Sequence, residues 1–395
     1  MRVLFVSHAY VVGVNQDKLN AIAQTKKVKV GLLTPSNWKA REWDSFLPVE
    51  KPYPDIQVYS APVSFTGRGG ACFYNPLRVW QVIQDFKPDL IQVEQEVFSI
   101  CAFELAVFSR IINKPLVVFG WENMERQLSF FRSRIRRFVL NTASLIITGN
   151  HDGANLVRGW GYEGLLEIMP QMGVDTTLFA PQTERKSSKQ LQIGFLGRLV
   201  TEKGIDTLLR AIAKLRHRGL NCQGIICGFG SEEANLRQQA VELNITDNIV
   251  WRGSVPHALA PAELSQFDVL VLPSRTIDNW KEQFGHVLIE AMAMEIPVVG
   301  STCGEIPDVI GRSDLVFEEE DSDALAAILE KIALQPAWRQ EIATYCLNRV
   351  KENYSHEKIA ERLIGLWQNI EQRSNFIMTE LNQNQQSQSG ERECA

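Results

Sequence analysis

Phe267-Asp268-Val269-Leu270-Val271-Leu272-Pro273-Ser274 is followed, after a polar stretch, by Glu282-Gln283-Phe284-Gly285-His286-Val287-Leu288-Ile289-Glu290. The first run reads as a buried strand, and the second turns from a polar loop into an apolar helix. A parallel strand handing over to a helix is the unit of a doubly wound α/β sheet, and ligands bind at that edge. Gly285 lets the backbone approach a ligand closely. The first amides of the following helix lack intrahelical partners and can bind phosphate oxygens. Glu282, still in the loop, can accept hydrogen bonds from sugar hydroxyls, while Glu290, further along the helix, can reach ribose hydroxyls of the same ligand. The spacing alone also suits a solvated loop acid and a helix-surface acid. Glu290, however, stands among Val287, Leu288, Ile289, Ala291, Met292, Ala293 and Met294, and a carboxylate in such surroundings needs partners.

A second constellation lies upstream. Leu191 to Leu196 reads as a strand that ends in Gly197-Arg198, and Leu199 to Gly204 leads into a helix from Ile205 to Arg216. Arg198 and Lys203 fall on the connecting loop. Two cations beside a helix start would neutralise the charge that grows on a departing nucleoside diphosphate, the task that a metal performs in many phosphate-handling enzymes. No Asp-x-Asp pair follows a strand and no His/Cys cluster has ligand spacing, so no metal and no cofactor are expected.

These residues resemble the retaining glycosyltransferases of family four, also described as glycosyl transferases group 1, which have the GT-B fold. The resemblance runs from about Gln190 to Ser355. It comprises Gly197-Arg198 with Glu202-Lys203-Gly204, Gly228-Phe229-Gly230, Pro273-Ser274, the Glu-x7-Glu run with Phe284-Gly285 inside it, Glu290-Ala291-Met292-Ala293, Pro297-Val298-Val299 and Gly304-Glu305-Ile306-Pro307. The resemblance implies that Arg198 and Lys203 bind the donor diphosphate, Glu282 the transferred sugar and Glu290 the ribose. It further places the amides of His286 and Val287 on the phosphates and Val255 to His257 beside the base, and it implies retention of anomeric configuration. The chain departs from the family pattern at Glu295, where a glycine is usual, and at Gly304-Glu305, which replaces a glycine pair. It departs again at Gly120-Trp121-Glu122-Asn123, where many relatives carry a histidine near the reacting sugar.

With 395 residues and 45 % hydrophobic composition, the chain is long enough for two cores. No apolar run approaches the ~18 residues of a membrane span. Met1 to Val6 lacks the pattern of a secretory signal, and the seven cysteines are scattered without metal spacing. A cytoplasmic location is expected, in part at the inner face of a membrane. A net charge of −5 argues against nucleic acid as a partner.

Short strands alternating with helices up to Thr148, and again from Leu191 to Phe317, predict two doubly wound Rossmann-like units facing a central cleft. The expected division is an acceptor-binding unit at 1–180, a donor unit at 190–355, a helix at 356–375 crossing back to the first unit, and a polar tail at 381–395 too hydrophilic to fold. Pro181 to Gln190 reads as the linker. On the acceptor side, His8 and Gly13 lie on the loop after the first strand, Glu94 and Glu96 end another strand and Glu122 follows a third. An ordinary turn, a structural histidine and capping acids explain the same residues equally well. Phe130 to Phe138 reads as a helix with an apolar stripe and the four arginines 132, 134, 136 and 137. Packing with a solvated face is its plain explanation, and peripheral docking on anionic lipid the sharper one.

The expected activity is transfer of a sugar from a nucleotide-sugar donor to a hydroxyl of a glycan or lipid-linked acceptor, with Arg198, Lys203 and Glu282 as the catalytic set. A sugar-nucleotide epimerase of the same fold and a non-catalytic nucleotide-sugar binding protein are the alternatives.

Overall fold

The computed structural model describes residues 1–40, 45–182 and 190–372. Most of the linker proposed at 181–190, the last residues of the proposed 356–375 helix, and the polar tail lie outside the described residues. Seven strands, β1 (Arg2–Val6), β2 (Lys29–Pro35), β3 (Ile56–Ala61), β4 (Leu90–Glu94), β5 (Leu116–Gly120), β6 (Leu145–Thr148) and β7 (Leu165–Ile168), form a parallel sheet ordered β7-β6-β5-β4-β1-β2-β3. Six more, β8 (Leu191–Leu196), β9 (Cys222–Cys227), β10 (Ile249–Gly253), β11 (Val269–Leu272), β12 (Val298–Ser301) and β13 (Val316–Phe317), form a second parallel sheet ordered β10-β9-β8-β11-β12-β13.

The strands are near-continuous apolar runs because helices cover both faces. Val3 to Val6 and Val269 to Val271 are completely buried. In each sheet the winding reverses once, between β1 and β4 in the first and between β8 and β11 in the second, and ligands of such folds bind beside the loops leaving those strands. This topology places the loop after β8, with Arg198 and Lys203, next to the loop after β11, with Glu282. The sequence pattern does not mark β7, a short edge strand whose four residues are all half-buried.

The C-terminal segment links the two cores. Helix Pro336–Asn353 buries Ile342, Cys346 and Val350 in the core of the second sheet. At Tyr354 the chain turns, its carbonyl accepting a hydrogen bond from Val174 N–H at 2.9 Å. Residues 356–372 then run as a helix over the first sheet, where Ile359, Leu363, Ile364 and Trp367 join Val3, Phe5, Val117 and Ile147. Trp367 packs edge-on against Phe5, with ring centroids 5.7 Å apart, and its indole N–H donates to Gln92 Oε1 at 3.0 Å. Arg362 reaches Glu167 at 2.6 Å and the Ile168 carbonyl at 2.9 Å, so this helix also secures β7.

Replacing Trp367 with Ala removes a buried indole from this junction and leaves Gln92 without its donor. Trp367→Ala is expected to lower stability by about 3–5 kcal/mol, read as a shift in the urea unfolding midpoint, whereas Trp367→Phe should retain much of it.

Candidate functional site

The loop after β8 is shaped by backbone contacts. Gly197 N–H donates to the Cys227 carbonyl and Leu199 N–H to the Phe229 carbonyl, which lays the Arg198 loop on the Gly228-Phe229-Gly230 turn. A side chain at Gly228 or Gly230 would place its first carbon 1.8 Å from the Gly197 carbonyl or 2.2 Å from that of Leu199. These glycines therefore admit one loop onto the other. Thr201–Lys203 form a single tight helical turn that ends at Gly204, and the Arg275 N–H holds the turn through the Glu202 carbonyl at 2.8 Å.

Lys203 and Glu282 meet. The Lys203 ammonium lies 2.5 Å from Glu282 Oε2 and 4.9 Å from the centre of the Trp280 ring. Ser274, at the end of the strand segment, donates to the same carboxylate oxygen at 2.9 Å. Glu282 is buried, and these charge-assisted bonds offset the cost of removing its charge from water. Arg198 stays more than half exposed, loosely paired with Glu202 at 3.6 Å, so its guanidinium remains accessible from the crevice.

Gly285 begins helix His286–Ala293 with φ of +82°, a conformation that disfavours any side chain. Phe284 is a core anchor, its ring 5.6 Å from Tyr354 and 5.0 Å from His286. It fixes the entry to the helix, and Val287, the second helical residue, packs against the same core. Glu290 pairs with His257 at 3.6 Å. The hydrogen bond to Glu290 raises the His257 pKa, whereas burial lowers that of His286. Val255 packs against the second core just before His257. His257, His286 and Glu290 line a cavity of about 140 Å³ whose opposite wall is Asp17, Val174 and His356.

Across the crevice the N-terminal residues are occupied. The His8 ring stacks on Trp38 with centroids 4.4 Å apart and shares a 2.5 Å hydrogen bond with Gln95, and burial lowers its pKa to about 4, so it is neutral near pH 7. Gly13 donates its N–H to Glu50 Oε2 at 2.6 Å, where a side chain would meet the same oxygen. Glu94 is fully buried between Lys18 at 2.6 Å and Tyr10 at 2.5 Å. Glu96 accepts the N–H groups of Trp121 and Glu122, and burial pushes its pKa up to about 7. The carboxylate of Glu122 is held by Arg126.

Sequence reasoning missed the groups that join the halves. The Asn123 amide donates to the carbonyls of Lys281 at 3.2 Å and Glu282 at 3.3 Å. Gln283 donates to the Trp121 carbonyl at 2.9 Å, and Asn150 to that of Gln283 at 3.3 Å. Lys281 pairs with Asp152 at 2.8 Å, and His151 with Glu305 at 2.8 Å. Their one signal in the sequence is position: each lies just beyond a strand of one of the two sheets or inside the Glu282 loop. Among the described residues, the group with spacing suited to a metal is His151, Glu305 and Asp308, and it includes none of the residues at the Lys203–Glu282 contact.

Residues 178–349 match the model of the family described as glycosyl transferases group 1. A GDP-mannose-dependent α-(1-6)-phosphatidylinositol monomannoside mannosyltransferase of Mycolicibacterium smegmatis is 28 % identical over 231 residues, 55 % of this chain and 59 % of that protein. A putative colanic acid biosynthesis glycosyltransferase of Salmonella typhimurium is 30 % identical over 204 residues, 51 % of this chain and 50 % of that protein. The chain thus spans about half to three fifths of the length of these two relatives. Among solved structures, sucrose-phosphate synthase from Thermosynechococcus elongatus superposes with a TM-score of 0.72 at 18 % identity, covering 94 % of this chain and 99 % of that one. Anabaena HepE in complex with UDP superposes with a TM-score of 0.70 at 19 % identity, covering 93 % of this chain and all of that one. The fold is GT-B, and residues 178–349 carry the similarity to the glycosyl transferases group 1 family.

Proposed function

We propose that the protein is a retaining, metal-independent glycosyltransferase that moves a sugar from a nucleoside diphosphate donor to a hydroxyl of a glycan or lipid-linked saccharide. The observation that carries this reading is the Lys203–Glu282 contact at the loop leading into the His286 helix. It sets an ammonium and a carboxylate just ahead of a helix start in the chain, which suits a ligand with an anionic diphosphate next to a polyhydroxylated ring. The diphosphate of a bound donor draws on Lys203, on the exposed Arg198 and on the amides of His286 and Val287. Those fixed positive groups stabilise the charge that develops on the leaving nucleoside diphosphate. Glu282, oriented by Ser274, accepts from sugar hydroxyls and holds the ring in line. Glu290 takes the ribose, exchanging its pairing with His257, and Val255 borders the base.

Two of the similar proteins lend support, one named for its use of GDP-mannose and another solved with UDP. The acceptor enters from the N-terminal side, near Gly13, His8 and Glu122. In this reading His8 shapes the wall as a neutral ring, and Glu122 is held by Arg126 until an acceptor displaces it.

Membrane contact is the remaining element of the proposal. In helix Phe130–Leu140, Phe130 is 81 % and Phe131 64 % exposed, an unusual outlay of aromatic surface. Arg134 lies over Phe130, while Arg136 turns onto Trp160 and Arg132 toward the Phe98 carbonyl. No helix among the described residues is long and apolar enough to cross a membrane, so contact through this helix would be peripheral.

Three outcomes follow. Lys203→Ala is expected to lower kcat/KM by roughly ten- to a hundredfold, the equivalent of a charged hydrogen bond worth about 1.5 to 3 kcal/mol, and wild-type turnover in a folded variant would refute the assignment. Asn123→Ala should reduce turnover several-fold and widen the particle in small-angle scattering, and Asn123→Asp should do more harm because it sets a carboxylate against two carbonyl oxygens. Sedimentation with anionic liposomes should be strong at low salt and weak once Arg132, Arg134, Arg136 and Arg137 are all changed to Gln; unchanged, salt-insensitive binding would dispose of electrostatic docking.

A further inference from the structure

One contact between the halves is chemically unlike the others. His151 opens helix His151–Gly159 of the N-terminal half, and Glu305 and Asp308 lie at the start of helix Ile306–Ile310 of the C-terminal half. His151 Nδ1 stands 2.8 Å from Glu305 Oε1 and 3.7 Å from Asp308 Oδ2, and all three donor atoms lie within 4.8 Å of one another. The other oxygen of Glu305 accepts the His151 backbone N–H at 2.9 Å, which fixes the carboxylate with Oε1 turned to the imidazole. Such support from a neighbouring hydrogen bond is what orients metal ligands in built sites.

The spacing is close to what a tetrahedral ion needs. With arms of about 2.0–2.1 Å, neighbouring ligand atoms stand roughly 3.3 Å apart, a value bracketed by the two His151 distances. The Glu305 side chain is only 8 % exposed, while those of His151 and Asp308 are more than half exposed, so one side is firm and the other can supply a water ligand. The charge balance also favours a cation: Asp152 acts on His151 as a further negative charge, and its own lysine partner, Lys281, is engaged with it at 2.8 Å.

We propose that His151, Glu305 and Asp308 bind a zinc ion across the cleft and clip the two halves in the closed arrangement. One imidazole and two carboxylates suit zinc, whereas magnesium and calcium favour oxygen ligands alone. The ion takes no part in sugar transfer, since its ligands are neither the cations nor the carboxylate assigned to the donor. Its effect would instead be on opening. Glu305 N–H donates to the Glu282 carbonyl at 3.3 Å, so a metal on Glu305 stiffens the loop that carries Glu282.

The test is calorimetric titration of the purified full-length protein with zinc chloride, alongside His151→Ala, Asp308→Asn and a control, His217→Ala, at an exposed histidine elsewhere. The wild type and the control should each show one stoichiometric binding event and a rise in Tm with zinc. Both site variants should bind roughly tenfold or more weakly, with no such rise. Excess magnesium should not displace the zinc. Asp308→Asn keeps the shape of an exposed side chain, so it tests the site even if His151→Ala folds poorly. Equal zinc binding in the wild type and both variants, or no stoichiometric event in the wild type, would overturn the proposal. None of these readouts depends on the transferase reading.

Discussion

A buried carboxylate beside a half-buried ammonium is the constraint around which the C-terminal half is arranged. Glu282 and Lys203 come from loops that leave adjacent strands, and they touch only because β8 and β11 are neighbours at the point where the winding reverses. The Glu282 carboxylate alone in that position would be costly, because an uncompensated buried charge has no counterpart in the solvated chain. Together, with Ser274 on the same oxygen, they form a preset pair that a ligand can enter by exchange. Gly304 shows how tightly the loop is held. Its φ is +58°, and a side chain there would place a carbon 1.9 Å from the Glu282 carbonyl. One glycine of the usual pair is thus imposed by geometry, and the second position, free of that demand, carries Glu305.

The N-terminal half contains a comparable buried pair whose surroundings give it another role. Lys18 and Glu94 are both fully enclosed, and Glu94 also accepts from Tyr10, Gln92 and Gln171. Gln92 in turn accepts from Trp367, so the network runs from β4 to the crossing helix. Burial lowers the Lys18 pKa and the Glu94 charge opposes that shift. With every oxygen of Glu94 satisfied inside protein, nothing is left for a substrate. The two pairs differ in access: Glu94 is sealed by the crossing helix, whereas Glu282 faces a crevice.

Much of this was legible in the sequence because it rests on local pattern. Strands buried on both faces must be apolar throughout, so β1, β4, β5, β8 and β11 are written plainly, and the turn residues around Gly197, Gly204 and Gly285 mark the loops between them. The half-buried β7 escapes the same reading because Leu165-Leu166-Glu167-Ile168 has neither a continuous apolar run nor alternation of useful length. Departures from a family pattern proved uneven as guides. Glu295 replaces a glycine yet adopts φ of +58°, keeping the backbone of the residue it replaces just past the end of its helix. Asn123, by contrast, is marked only by its place just after β5, since its partners Lys281 and Glu282 lie 158 and 159 positions away and an amide in a loop has many other uses.

The chemistry of the contacts between the halves follows from what a cleft must do. Asn123, Asn150, Gln283, Lys281, Asp152, His151 and Glu305 are all polar, and each can exchange its partner for water when the halves separate. An intramolecular hydrogen bond is worth only about 0.5–1.5 kcal/mol net, so even several of them leave opening within thermal reach. An apolar seam of similar area would hold the halves shut, because separation would expose its whole surface to water. The strong apolar junction is placed instead at the crossing helix, where Trp367 and its neighbours fix one side of the cleft permanently. The halves are therefore joined by apolar packing at the crossing helix and by polar contacts at the cleft, and the loop that carries Glu282 belongs to the polar set. Any ligand that bonds to that loop from both halves shifts the balance toward closure by the difference between its contacts in the closed and open forms.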